Sequence, residues 1–347
     1  MDARTKDALE YPLAAPPPDA TVVEVAPGIL WVRMPMPMRL NHINLYLLRG
    51  DTGWTLVDTG LNTQRTRDLW EKVLARCLDG LPLEHLICTH WHYDHAGLAY
   101  WFTQHWGVPL SMTLGEYYTM QAYASPVSKP LPPSMQTFYQ RTGMTAEAVV
   151  ALFDILQPDP LVPPMPRAFE RLRAGEQFTI GRHTWRVVVG EGHSPEHACL
   201  YDDEHHLLLA GDQLLPKISS TVMVTDREPH ADPLALWLAS LDRLDGLAED
   251  TLVLPAHGDV FRGLRRRTEQ LREHHAGRLG ALQDFVRARP RCTALEATHA
   301  LFVHLHGPVD EMMGLCETLA HVNRLLHAGI LRAELDEADV YRYEVCA

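Results

Sequence analysis

A short string of potential metal ligands lies in the first third of the chain. It reads Thr-His-Trp-His-Tyr-Asp-His over residues 89–95 and directly follows an apolar run at 86–88. Imidazole and carboxylate groups together suit Zn²⁺, Fe²⁺ or Mn²⁺. The four candidates are His90, His92, Asp94 and His95. Four ligands so close in sequence cannot all reach one ion from a regular strand or helix, so we expect a turn that directs them toward two adjacent ions.

Three further potential ligands each lie in a glycine-containing turn that follows a predicted strand. They are His193, Asp212 and His257. Loops at the edge of a rigid sheet are where functional side chains are usually found, and glycine lets the backbone approach an ion or substrate closely. We therefore expect these three residues to complete the site that begins at residues 89–95.

The elements that must position these ligands are mostly short strands. Alternating or wholly apolar runs, separated by turn residues, predict strands at 21–25, 28–34, 43–49, 54–58, 86–89, 177–180, 184–189, 198–201, 206–210 and 252–254. Helical spacing predicts helices at 63–78, 114–123, 134–141, 146–156, 233–244, 264–288, 294–301 and 309–328, followed by two strands at 330–334 and 340–345.

The length of 347 residues suggests one large domain and one small one. Residues 1–20, which include three consecutive prolines, are predicted to be a flexible tail. Residues 21–263 form the predicted large domain. Within it, 111–166 is rich in Met, Tyr and Pro and is interpreted as an insertion or lid over a site, with a helical hairpin packed on the core as an equal alternative. Residues 264–347 have the helix-helix-helix-hairpin order typical of a winged helix.

The composition limits the partners and the compartment. The formal net charge of −13 disfavours a sequence-independent grip on nucleic-acid backbones, which needs basic patches. The six cysteines are scattered without a Cys-x-x-Cys pair, which indicates reduced thiols. The start of the chain lacks the basic flank and apolar run of a secretory signal, and no stretch is long and apolar enough to cross a bilayer. These features predict a cytoplasmic protein with no membrane partner.

With all these motifs in order from about residue 22 to 257, the sequence resembles the metallo-β-lactamase superfamily. It is most similar to the glyoxalase II-like branch and to the β-lactamase-like 2 proteins, which carry a C-terminal winged-helix domain. The resemblance implies an α/β fold, an αββα sandwich with the metals at one sheet edge and a small C-terminal winged-helix-like domain.

The resemblance also implies how the ligands divide. One ion would be bound by His90, His92 and His193, and the other by Asp94, His95 and His257. Asp212 would bridge the two ions. Asp58, in Leu-Val-Asp-Thr-Gly, matches the buried aspartate of the family and is expected to hydrogen-bond a ligand histidine. A simple turn aspartate before Gly60 is the alternative for this residue.

Two positions disfavour particular branches of the superfamily. The main zinc class of true β-lactamases has a cysteine where Asp212 stands, so antibiotic hydrolysis is not expected. Flavo-diiron proteins have a glutamate where His92 stands, so oxygen reduction is not expected either.

The chemistry expected of such a site is hydrolysis. Two divalent ions lower the pKa of a shared water to about 7, and we predict zinc, with iron or manganese as alternatives. Asp94 is the candidate proton acceptor, or acid for the leaving group. Lys217 could meet an anionic part of the substrate or be a plain surface lysine, and Tyr93 could line the pocket or pack on the core. Core packing is favoured over a substrate wall for Met112, Tyr117, Tyr118 and Met120.

The leading hypothesis for function is hydrolysis of a thioester or related ester of the acyl-CoA or acyl-glutathione type. It rests on the acidic chain, the apolar segment at 111–166 and the resemblance. Metal-dependent cleavage of single-stranded RNA, lactone hydrolysis and a regulatory protein of the same fold with little turnover are the alternatives. A small-molecule substrate is thus favoured over nucleic acid, and a homodimer is left open.

Overall fold

A computed structural model describes residues 9–124, 129–155 and 164–346. The chain divides into two compact units. The first comprises residues 1–125, 160–220 and 241–268, and the second comprises residues 126–159, 221–240 and 269–347. Each unit is therefore assembled from three separate stretches of chain. The boundaries expected from the sequence, at residues 21, 111, 166 and 264, stay predictions.

The first unit contains a seven-stranded mixed sheet. Across the sheet the strands are β1 (Val23–Ala26), β2 (Ile29–Pro35), β3 (His42–Arg49), β4 (Trp54–Val57), β5 (Leu83–Ile87), β6 (Leu110–Met112) and β7 (Glu170–Arg171). Neighbours from β1 to β4 are antiparallel, and those from β4 to β7 are parallel. The parallel half matters for the site because parallel strands end at the same edge of a sheet.

A five-stranded sheet lies in the same unit. Its strands, in spatial order, are β12 (Leu252–Pro255), β11 (Leu207–Gly211), β10 (His197–Asp202), β9 (His183–Gly190) and β8 (Gln177–Ile180). The β11–β12 pair is parallel and the other pairs are antiparallel. Strands β9, β11 and β12 consequently run in one direction and end at one edge.

The apolar strands are buried on both faces, which explains why they read as nearly continuous hydrophobic runs. In β2, Ile29 and Trp31 belong to a core cluster that also contains Trp185 and Leu200 of the five-stranded sheet. Val32 of β2 faces the other way, into a cluster shared with the helices. The two sheets thus pack face to face with helices outside them, and the predicted αββα class is confirmed.

Four helices lie wholly in the first unit. They are α1 (Gln64–Cys77), α2 (Tyr93–Ala96), α3 (Ala99–His105) and α4 (Leu114–Ala124). Thr63 caps α1 by accepting a hydrogen bond from the backbone N–H of Thr66. Leu69, Trp70 and Val73 are buried along one face of α1.

The second unit is mainly helical. It contains α5 (Pro133–Arg141), α6 (Ala146–Ile155), α9 (Ala294–Leu301), α10 (Pro308–His327) and a hairpin of β13 (Leu331–Leu335) and β14 (Tyr341–Val345). Two further helices, α7 (Pro233–Asp245) and α8 (Leu264–Ala288), have residues in both units. The predicted order of three helices and a hairpin after residue 263 is confirmed, and the name winged helix stays a prediction. Among the described residues, no helix combines the length and apolar character needed to span a bilayer.

The structure differs from the sequence predictions at several places. Strands β6 and β7 were not predicted, because they are short and become strands only by pairing with distant segments. Part of the expected flexible tail is held: Leu9 is buried, and Glu10 exchanges two backbone hydrogen bonds with Arg262. The remainder of that tail, residues 1–8, lies outside the described residues.

The segment at 111–166 is divided between the units. Helix α4 belongs to the first unit, where Tyr117 and Met120 are buried in the core, while α5 and α6 belong to the second. Met112 is buried in the same core, so the preferred expectation of core packing is met for these three side chains, whereas Tyr118 is 57% exposed. Residues 125–128 and 156–163 of the segment lie outside the described residues, and its role as a lid stays a prediction.

Candidate metal centre

The strand ends bring the predicted ligands together. Asp58 follows β4, the string at 89–95 follows β5, and His193, Asp212 and His257 follow β9, β11 and β12. A backbone hydrogen bond from Ala198 N to Thr89 O, 2.8 Å long, ties the two sheets at this edge. All seven residues expected as ligands therefore meet at one edge of the sandwich.

A first group of ligand atoms comes from His90, His92, His193 and Asp212. His90 Nε2 lies 2.9 Å from His92 Nδ1 and 3.3 Å from His193 Nε2. Two atoms that bind one tetrahedral zinc at about 2.0–2.2 Å lie roughly 3.3–3.6 Å apart. The His90–His193 spacing fits a shared cation, and the His90–His92 pair is somewhat closer than this.

A second group comes from Asp94, His95 and His257. His257 Nε2 lies 3.4 Å from Asp94 Oδ2, and His95 Nε2 lies 3.8 Å from the same oxygen. Asp212 connects the two groups: its Oδ1 is 3.2 Å from His257 Nε2 and its Oδ2 is 3.5 Å from His193 Nε2. One carboxylate thus presents one oxygen to each group.

Three atoms of this centre are buried without a hydrogen-bond partner among the described residues. They are His95 Nε2, His257 Nε2 and Asp212 Oδ1. Buried polar atoms are nearly always satisfied, and an unsatisfied one costs about 1–3 kcal/mol. Three such atoms converging on one point indicate that a cation belongs there, so the residues fit a divalent metal.

The opposite side of each of these two imidazoles is held by an acceptor. His95 Nδ1 lies 2.8 Å from Asp58 Oδ2, and His257 Nδ1 lies 2.7 Å from the carbonyl oxygen of His42. Since the acceptors take the Nδ1 protons, each Nε2 faces the centre, where a bound ion would displace its proton and take its lone pair. Asp58 is buried and also accepts from the backbone N–H and hydroxyl of Thr89, at 2.7 and 2.8 Å. Asp58 is thus a buried hydrogen-bond partner of His95, unlike an aspartate in a solvated turn.

The electrostatics differ between the two groups. Burial, with His193 next, lowers the pKa of His92 to about 3. Burial also opposes charge on His257, but Asp212 and Asp94 outweigh it and raise the pKa of His257 to about 10. Burial would raise the pKa of Asp212, yet His257 and His95 hold it well below the ordinary value. The carboxylates thus supply negative charge that would stabilise a divalent cation.

Glu116 of α4 is a functional candidate that sequence reasoning missed. Its buried carboxylate accepts hydrogen bonds from Trp91 N at 3.0 Å, Ser194 Oγ at 2.7 Å and Glu196 N at 2.7 Å. Burial raises the pKa of Glu116 to about 7, against the lowering effect of these hydrogen bonds. Glu116 therefore joins the loop that carries His92 to the loop that carries His193. No local sequence signal distinguishes it from an ordinary helix glutamate.

His197 is a second residue that was missed. Its Nε2 accepts a hydrogen bond from the backbone N–H of Asp212 at 3.0 Å, and its ring stacks on His90 with centroids 4.8 Å apart. Gly211 makes this possible: its φ is +49°, and a Cβ there would lie 2.5 Å from the His197 ring. The position of His197 four residues after His193 was the available signal.

The turn that carries His257 is held by side chains of β3. Asn44 Nδ2 donates to the carbonyl oxygens of Pro255 and Gly258, each at 2.9 Å, and the Tyr46 hydroxyl donates to Pro255 O at 2.9 Å. These bonds fix the backbone on both sides of His257, so its ring is oriented before any ion binds.

The two predicted substrate residues lie in different settings. Lys217 is exposed, with its ammonium 5.7 Å from the centre of the Tyr11 ring. Tyr93 begins α2 and packs, half-buried, against the core shared with the helices. Contact of either side chain with a substrate stays a prediction.

Comparison with known proteins places this centre in a family. The pattern of the metallo-beta-lactamase superfamily matches residues 38–257, and that of the metallo-beta-lactamase-like C-terminal domain matches residues 279–346. The chain belongs to the metallo-beta-lactamase superfamily. The resemblance inferred from the sequence motifs is confirmed.

Three particular proteins are similar to this chain. A crystal structure of a beta-lactamase domain protein from Burkholderia ambifaria is 41% identical with a TM-score of 0.90, and the match covers 97% of this chain and 98% of that one. The probable metallo-hydrolase YqjP of Bacillus subtilis is 26% identical, over 86% of this chain and 92% of its own. The acyl-coenzyme A thioesterase MBLAC2 of Gallus gallus is 26% identical, over 67% and 79%. The prediction of a metallo-hydrolase is confirmed at this level.

Proposed function

We propose that this protein is a two-metal hydrolase that cleaves thioesters or related esters of the acyl-CoA or acyl-glutathione type. The observation that carries the two-metal site is the position of Asp212, whose two oxygens each contact a different ligand group. The convergence of buried atoms without hydrogen-bond partners supports it.

The proposed ligands divide as the two groups do. His90, His92 and His193 hold one ion, Asp94, His95 and His257 hold the other, and Asp212 bridges them. We propose zinc, with iron or manganese as alternatives, because the donors are imidazoles and carboxylates without a thiolate. When bound, the ions supply Lewis acidity and make water acidic near pH 7.

The side chains of the protein perform the remaining tasks. Asp94 directs Oδ2 toward His257, which leaves its other oxygen to accept a proton from the water and to return it to the leaving group. Asp58 keeps the Nε2 lone pair of His95 aimed at the centre, and Glu116 keeps the His92 and His193 loops in register. The hydrogen bonds on which the roles of Asp58 and Glu116 depend are present in the structure.

The substrate class is supported by two observations. The relative MBLAC2 is named an acyl-coenzyme A thioesterase, and the matched region includes two thirds of this chain. The net charge of −13 disfavours a polyanion such as RNA, which needs several phosphate contacts. We further propose a cytoplasmic location, because six scattered cysteines without a Cys-x-x-Cys pair are typical of a reducing compartment.

One experiment separates the candidates. The purified protein is analysed for metals and then assayed on an acyl-CoA, an acyl-glutathione, a lactone and a single-stranded RNA. We expect about two zinc ions per chain and release of free thiol from the thioesters, lost on chelation and restored by zinc. Metal content at background would contradict the metal site. RNA cleavage without thioester turnover would replace the substrate class, and two bound ions without turnover on any compound would favour the regulatory alternative.

A further inference from the structure

We propose that the first unit carries a second binding site, lined by none of the expected metal ligands, for a small organic anion that contains a flat ring. The site is a cavity of about 380 Å³ between the start of α1 and one face of α3. The lining residues used in the argument are Asn62, Arg67, Tyr100, Trp101, Gln104 and His105. The volume falls within the range of about 300–1,000 Å³ found for small-molecule sites.

The charge of the cavity points to an anion. Arg67 lines the cavity and its Nη2 donates to Asn62 Oδ1, while its Nε and Nη1 make no hydrogen bond with the described residues. No carboxylate of the described residues forms an ion pair with Arg67, and the adjacent Asp68 accepts a hydrogen bond from Gln64. The lining contains no acidic residue, in a chain with 44 acidic and 31 basic side chains.

An arginine in such a setting needs an acceptor. A guanidinium donates through a rigid fork that matches a carboxylate or phosphate oxygen, and charge-assisted bonds of this kind are roughly twice as strong as neutral ones. Because Nε is covered by protein atoms, a ligand oxyanion in the cavity would bind the guanidinium through Nη1. The unpaired donor therefore specifies the charged end of the ligand.

The other wall specifies a flat body. Tyr100, Trp101, Gln104 and His105 follow one another at spacings of one, three and one residues, so they share a face of α3. The Trp101 and His105 rings stack at 5.6 Å with an angle of 17°, and Tyr100 is 37% exposed. Stacked aromatic rings bind planar groups through their faces. The amides of Asn62 and Gln104 add polar groups to the lining.

The probe is 2-naphthoate, with neutral 2-naphthamide as its uncharged counterpart, titrated calorimetrically into the full chain. Because a carboxylate can also bind metal ions, the titration is repeated on the Asp212→Ala variant freed of metal. We expect naphthoate to bind both proteins and the amide to bind at least tenfold more weakly. Binding that disappears with the metal would assign the probe to the metal centre and overturn the proposal.

Two variants of α1 test the role of the guanidinium. Arg67→Gln should weaken naphthoate binding at least tenfold without changing metal content or thioester turnover. Arg65→Gln is the matched control, because Arg65 lies two residues away, is exposed and pairs with Asp19. Equal affinities in the two variants, at equal thermal stability, would overturn the proposal. Unchanged metal content in Arg67→Gln separates this result from any failure of the proposed hydrolase.

Discussion

Among the described residues of the first unit, two clusters place histidine and aspartate close enough together to hold a metal ion. The first is the metal centre, and the second is formed by His183, Asp202 and His205. The potential ligand atoms lie within 4.8 Å of one another in each of the two ligand groups of the metal centre, and also in the second cluster. Residue type and proximity alone therefore do not separate the two clusters.

Hydrogen bonding does separate them. His183 contacts Asp202 Oδ2 at 2.7 Å through Nδ1 and the carbonyl oxygen of Pro27 at 2.8 Å through Nε2. Asp202 also accepts from the backbone N–H groups of Glu204 and His205, at 2.9 and 3.1 Å. This cluster is complete without an ion, whereas the metal centre leaves three buried atoms without partners. Unsatisfied buried atoms are thus the better sign of a metal site.

The clusters also lie at opposite ends of the same strands. His183 begins β9 and Asp202 ends β10, while Gly190, at the other end of β9, leads to His193. At the end where β10 turns into β11, local hydrogen bonds satisfy the side chains of His183, Asp202 and His205. At the other end, where the parallel strands β11 and β12 finish, the ligand side chains of the metal centre meet.

The largest effect is expected from Asp212→Ala, which removes the oxygens shared by both ligand groups. We expect loss of most of both ions and a fall in kcat/KM of about 1000-fold, as the metals supply several kcal/mol of stabilisation. Elemental analysis and thioester kinetics measure these effects. His257→Ala, the companion variant, should weaken mainly the ion held with Asp94 and His95. Full occupancy in Asp212→Ala would exclude the bridging role.

The next effect concerns the carboxylate that joins the loops of the first ligand group. Glu116 accepts three hydrogen bonds, and Glu116→Gln would set an amide N–H₂ against at least one of these donors. We expect metal affinity about 10–100-fold weaker, as for other residues that orient ligands. Competition with a chelator should show the weakening mainly at the ion held by His90, His92 and His193. Glu71→Gln, on the exposed face of α1, is the control. An equal loss at both ions would contradict a role confined to the first group.

Much of the metal centre could be predicted because its signals are local. The string at 89–95 and the glycine turns after strands mark all seven expected ligands. Glu116 could not be found in this way, because its partners lie 25 and about 80 residues away in sequence. The same reason applies to β6 and β7, whose three and two residues become strands only by pairing. Contacts between residues far apart in sequence, such as those by which Glu116 orients the ligand loops, could not be predicted from the sequence.

A smaller effect, on stability alone, is expected at the cluster that is complete without metal. Burial would raise the pKa of Asp202, but its hydrogen bonds with His183 and His205 lower it. Asp202→Asn should cost about 2 kcal/mol, the typical value for hydrogen bonds to a charged group, and leave metal content and kcat unchanged. Because the folded pKa is depressed, the stabilisation is complete above the ordinary pKa of about 4 and is lost as the pH falls below it. Chemical denaturation across pH should show the difference from the parent protein shrinking in acid. Loss of metal in Asp202→Asn would erase the distinction between the clusters.

The smallest effect is expected at Lys217, which tests whether the same criterion extends to substrate contacts. Its ammonium lies over the Tyr11 ring at the surface, so it is not a buried donor that waits for a partner. The sequence predicts that Lys217→Ala raises KM for anionic substrates more than for neutral ones. An exposed charge contributes about 0.2–1 kcal/mol, so the rise in KM should stay below about fivefold, with kcat unchanged. Lys72→Ala, an exposed lysine on α1, is the control. Equal changes in KM for anionic and neutral thioesters would show that Lys217 does not hold the anionic end. A rise well above fivefold would instead place the lysine against the bound substrate, and the hydrogen bonding of the free protein would then fail to identify substrate contacts.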